Sequence, residues 1–118
     1  MMKTIDPAVI RRAVVVCQTL SHEVRLQICT FLLEGEASVT AICEELNLPQ
    51  HKVSQQLAIL RNAEVVMTRR QSRQVFYSIG DKVVINTVKT LLDQTADEPE
   101  RGRSLSFEAG RFAEIASS

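Results

Sequence analysis

Three thiols and one amide-rich stretch are the chemically interesting parts of this 118-residue chain. Cys17, Cys29 and Cys43 are too far apart for any two to ligate a metal from one helical turn or one tight loop. His22 is the only histidine near them. The default role of such a cysteine is that of a small buried hydrophobe. No resident metal or cofactor is expected. The apolar block Ala13–Cys17 follows Lys3, Arg11 and Arg12 with no cleavage-site pattern after it, so no export signal is read. The odd count of three then suggests free thiols in a reducing cytoplasm.

The amide-rich stretch runs from Gln50 to Arg61 and contains no Asp or Glu. Glutamine can read adenine through two hydrogen bonds, and lysine and serine reach phosphates or base edges. Gln50, His51, Lys52, Ser54 and Gln55 are therefore candidate groove contacts. For His51 a phosphate or base contact is preferred to a metal role, because only Ser54 and Gln55 stand one turn away. Arg69, Arg70 and Arg73 place three guanidiniums within five residues, a pattern suited to phosphate or minor-groove contact. Between positions 50 and 75 there are five basic residues and one acid, Glu64, although the whole chain balances 14 against 14. A polyanionic partner must therefore be met by a local patch. A plain solvated charge run is the ordinary alternative.

The elements that must position these residues are mostly helical. Asp6-Pro7 starts a first helix, with a capping carboxylate and proline at the first helical position. Its stripe from Val9 to Leu20 is wider than one core contact needs, so it is expected to serve a core and a second subunit together. Ser21 is expected to cap a second, central helix ending near Gly35, and Ser38 a short third one. After the turn Asn47-Leu48-Pro49, a fourth helix to about Ala63 seats on Val53, Leu57 and Leu60. Val65–Arg70 and Gln74–Ile79 read as a two-stranded hairpin, and a last helix covers about Asp81 to Thr95. This α-α-α-α-β-β-α order, mostly α with a small β-hairpin, is a winged helix-turn-helix.

Ser38-Val39-Thr40-Ala41-Ile42-Cys43-Glu44-Glu45-Leu46, then Gln50–Arg61, then Arg69-Arg70 through Val75-Phe76-Tyr77-Ser78-Ile79, resembles the ArsR/SmtB family of bacterial repressors. Leu20–Ile28 is similar to that family's second-helix opening, and the likeness covers about residues 10 to 95. It implies a homodimer joined through the first and last helices, bound to a double-stranded operator and released by an effector. It also implies groove contacts from Gln50, Lys52, Ser54 and Gln55 and a wing contact from Arg73. Gln56 stands where a histidine is common, and Glu64 and Ser72 where the family has glycine.

The family's known sensor sites are incomplete in this chain. Ser38 and Thr40 replace the soft-metal cysteine pair, and Val83 and Gln94 replace the zinc-type histidines beside Asp81 and Asp97. The overall likeness is greatest to the persulfide-sensing branch, with Cys29 about one position from its second-helix cysteine. The last-helix cysteine of that branch is missing. Candidate sensing thiols are Cys17, Cys29 and Cys43. A thiol at Cys17 would stand on the wide stripe, placed to pair across a dimer or to complete a thiol site for a trivalent metalloid.

The expected function is a sequence-specific DNA-binding regulator, a repressor, acting in the cytoplasm. The alternative is a winged-helix module that binds a protein, whose recognition face should be apolar or acidic. No nucleophile with a neighbouring base supports an enzyme, and no run approaches the ~20 apolar residues of a membrane helix. Residues 1–95 are expected to form the DNA-binding and dimerisation domain. Residues 96–118 read as a linker and a possible short helix carrying Phe107, Phe112 and Ile115.

Overall fold

The computed structural model describes residues 4–93, so the expectations for 96–118 lie outside the described residues. Helix α1 spans Pro7–Leu20, with the Asp6 carboxylate accepting from the Ala8 N–H at 2.8 Å and proline in the first turn. Only Val16, Thr19 and Leu20, all toward its C-terminal end, are buried within the protomer. Helix α2 (Glu23–Leu32) lies centrally and buries Ile28, Cys29 and Leu32. Its cap differs from expectation: His22 takes the N-cap position and makes no side-chain cap bond. Glu23 in the first turn instead places negative charge at the positive end of the helix. Gly35, at φ 139°, turns the chain after α2 with its N–H on the Leu32 carbonyl. Few residues other than glycine adopt that conformation.

The next element was not expected. Ala37–Ser38 form a two-residue strand, β1. Ser38 then caps α3 (Val39–Leu46), its Oγ accepting from the Ala41 N–H at 3.2 Å. Asn47 ends α3 in the left-handed region at φ 54°, a conformation asparagine tolerates. Pro49 is the N-cap of α4 (Gln50–Asn62), and Val53, Leu57 and Leu60 lock that helix into the core. Full burial of such a side chain contributes about 2 kcal/mol.

The wing consists of β2 (Met67–Gln71) and β3 (Gln74–Ser78), antiparallel, with Gln71 opposite Gln74 across the turn. It begins two residues later than the pattern suggested, because Val65 and Val66 are buried in the core instead of pairing. Strand β1 pairs antiparallel with β3, Ala37 opposite Tyr77 and Ser38 opposite Phe76, giving a sheet of order β1-β3-β2. Helix α5 (Lys82–Leu91) is capped by Asp81 and buries Val84 and Val88. It ends short of the expected Thr95. The core is one cluster, in which Ile28, Ile42, Val53, Leu57, Leu60, Val65, Val84 and Val88 are at most 1% exposed.

Candidate nucleic-acid interface

With α4 held by its apolar back, its other face is set in water. Gln50, His51, Lys52, Ser54 and Gln55 are all exposed on that face, as is Arg61 near its end. No acidic residue lies in its first turn. Gln56, one position on, is half-buried and turned to a different task. Its Oε1 accepts from the Arg25 guanidinium at 2.9 Å, while Arg25 Nε donates to the Thr19 carbonyl at 2.6 Å. Arg25 therefore joins α4 to the α1–α2 corner.

On the wing, Arg70 and Arg73 are exposed, and Arg73 occupies the turn beside Ser72. Ser72 has φ 57°, and so does Glu64 after α4. These are two of the positions where the sequence departs from the family's glycines. Both keep the left-handed turn and accept strain of about 1–2 kcal/mol per residue.

Arg69 is differently placed. Its Nε and Nη2 donate to the two oxygens of Glu36, at 3.1 Å and 2.5 Å, and its Nη1 donates to Gln71 Oε1 at 2.8 Å. The guanidinium carbon also sits 4.9 Å from the centre of the Phe76 ring. This fork-to-fork pair holds the Glu36 carboxyl below the usual range and raises Arg69. Arg69, itself exposed, thus ties the wing to the segment before β1 through Glu36, and Arg70 and Arg73 are the other exposed cations of the hairpin.

The three thiols occupy three different environments. Cys29 is fully buried, and burial pushes its thiol up to about 12, which opposes formation of the reactive thiolate. Cys43 is half-buried against the core. Cys17 is exposed on α1. Among the described residues, no group of three or more His, Cys, Asp or Glu side chains is placed to hold a metal ion.

Away from α4 and the wing, an apolar surface is open to solvent. Val9, Ile10, Val14 and Val15 of α1 are 38–57% exposed, and Val83 and Leu91 of α5 are 67% and 60% exposed. Clustered exposed apolar side chains are unusual on a lone soluble protomer. Arg12, Arg25 and Glu36 went unnoticed in the sequence. Apart from Thr19, six positions from Arg25, their partners lie 31 to 69 positions away, so no local spacing announces them.

The family model described as "Bacterial regulatory protein, arsR family" matches residues 22–68. Over 88 residues the chain is 35% identical to the biofilm growth-associated repressor of Agrobacterium fabrum, covering 72% of this chain and 75% of that protein. The chain belongs to the ArsR family. It is also 38% identical over 80 residues to the transcriptional activator HlyU of Vibrio cholerae, covering 68% of this chain and 74% of that one. The solved HlyU structure superposes with a TM-score of 0.72 at 33% identity, over 77% of this chain and 99% of HlyU. The homodimeric winged helix-turn-helix DNA-binding domain of Mb0332 from Mycobacterium bovis shares the fold, with a TM-score of 0.71 at 24% identity. That alignment covers 86% of this chain and 95% of Mb0332. As an ArsR-family protein, this chain is a DNA-binding transcriptional regulator, and the family's members are regulators, not enzymes. No helix among the described residues is long and apolar enough to cross a membrane.

Proposed function

We propose that two copies of this chain form a homodimer through α1 and α5 and repress transcription by occupying an operator in the bacterial cytoplasm. Helix α4 enters the major groove with Gln50, His51, Lys52, Ser54 and Gln55, and the wing adds Arg70 and Arg73 on phosphates. Arg69 keeps the wing in place. The observation that carries this reading is the exposed, carboxylate-free face of a helix whose opposite side is locked in the core. Ile59 is the one large apolar side chain exposed on α4, at 43%. A face meant for a protein partner would offer more apolar groups, or acidic ones. The effector acts on thiols, and Cys17 is the first candidate: it is exposed in the single protomer and lies on the proposed dimer helix, where a change at its sulfur would bear on the contact.

The test is binding to the protein's own upstream DNA at fixed salt, with one sample reduced and another treated with polysulfide. The reduced protein should bind at least about 1,000-fold tighter than it binds random DNA. Loss of that binding on oxidation, prevented by Cys17→Ser, supports the thiol arm. Equal binding in both states removes the thiol arm and keeps the operator. Equal affinity for upstream and random DNA would sink the repressor reading.

A further inference from the structure

One basic side chain reaches three elements at once. Arg12 stands in the middle of α1. Its Nη1 donates to the Ala63 carbonyl at 2.5 Å and its Nη2 to the Glu64 carbonyl at 2.9 Å. Ala63 is the C-cap of α4, and Glu64 follows it in the left-handed region. Nη2 also lies 3.7 Å from Asp81 Oδ2, while Asp81 Oδ1 caps α5 through the Val83 N–H at 2.8 Å. Carbonyls at a helix C-terminus lack partners within the helix and carry the negative end of its dipole. A flat guanidinium can serve two of them together, and a lysine ammonium matches that geometry poorly. One residue therefore pins the end of α4 to α1 and stands beside the start of α5.

We propose that Arg12 is a positioning residue: it fixes the angle of α4 against α1, one of the two proposed dimer helices, and so sets the half-site spacing the dimer accepts. This inference rests on the operator-binding dimer proposed above. In such a dimer the two reading helices meet half-sites about one helical turn, ~10.5 base pairs, apart. One added base pair turns a half-site by roughly 34° and shifts it by about 3.4 Å. A protein with α4 rigidly set cannot follow that change, whereas one with α4 loosened can.

The experiment uses full-length protein and an operator selected from random duplexes, with the centre then lengthened by one base pair. The wild-type protein should lose about tenfold in affinity on the longer site. Arg12→Met keeps most of the side-chain volume but has no donors, and it should lose less than about threefold. Arg12→Lys should behave like Arg12→Met. Asp81→Asn retains a capping side chain and leaves the two carbonyl bonds in place, and it should discriminate as the wild type does. If Arg12→Met weakens both sites alike, or keeps full discrimination, the proposal is overturned.

A second measurement needs neither DNA nor dimer. Spin labels at the exposed positions Gln18 and Ala58 of one chain, in a Cys17→Ser, Cys43→Ala background diluted with unlabelled chain, report the α1–α4 distance. Arg12→Met should broaden that distribution, and an unchanged width overturns the proposal. Wild-type protein that selects no operator would instead overturn the function proposed above, while the label distances still decide the role of Arg12.

Discussion

Helix α1 shows solvent a row of Val9, Ile10, Val14 and Val15, whereas α4 shows it Gln50, His51, Lys52, Ser54 and Gln55. Both helices are amphipathic, and both use a buried stripe to seat on the same core. They differ in what the remaining face asks of its surroundings. Apolar area left in water forgoes about 25 cal/mol per Å², so the α1 face gains by meeting another apolar face. The α4 face gains nothing from dehydration alone, and its amides and bases are satisfied by water until they meet base edges and phosphates. Exposure is therefore common to both, and the chemistry of the exposed groups separates the proposed assembly surface from the proposed reading surface.

The largest effect should come from making the first face resemble the second. Val14→Glu places a carboxylate in the proposed contact and should weaken self-association by at least about 100-fold, since a buried unpaired charge is strongly disfavoured. Sedimentation at micromolar concentration reads this directly, and a Val14→Glu dimer would move the interface elsewhere. On the reading face, Gln55→Ala should cost about 1–3 kcal/mol on the operator and almost nothing on random DNA. Equal losses on both would take Gln55 out of base recognition. Arg73→Ala should weaken both DNAs together and reduce the slope of log affinity against log salt by about one. An unchanged slope would remove the wing tip from the phosphate contacts. The smallest effect lies between the two faces, where Glu64 holds φ 57°. Glu64→Gly should raise unfolding stability by about 1 kcal/mol in urea by relieving that strain. No gain would mean that the Glu64 side chain offsets its own backbone.

Much of the scaffold was legible because its signals are local. The Asp6-Pro7 start, the Ser38 cap and the Val53, Leu57 and Leu60 stripe each act within one or two turns of their own helix. The exposed polar face of α4 follows directly from that stripe. Strand β1 was not legible, because two residues carry no periodicity and become a strand only by pairing with Tyr77 and Phe76. For the same reason Arg69 read as one more phosphate contact. Its partner Glu36 is 33 positions away and is brought alongside only by that pairing. The α2 start was misplaced by its cap, since Ser21 and His22 were both available and the first turn was served by Glu23. The difference between Cys17 and Cys29 depends on which side of each helix meets the core, and here the broad apolar stripes of α1 and α2 left the choice open.

Ser38 belongs to two structures at once: it pairs with Phe76 in the sheet, and its hydroxyl caps α3, the helix that precedes α4. The hairpin is thereby set in register with the helix-turn-helix before any ligand arrives. Docking then needs little ordering of the hairpin, and that entropy is not subtracted from affinity. The feature should therefore show itself in time, as a complex that dissociates slowly. A chain with its hairpin untied would let go sooner while meeting its partner at nearly the same rate.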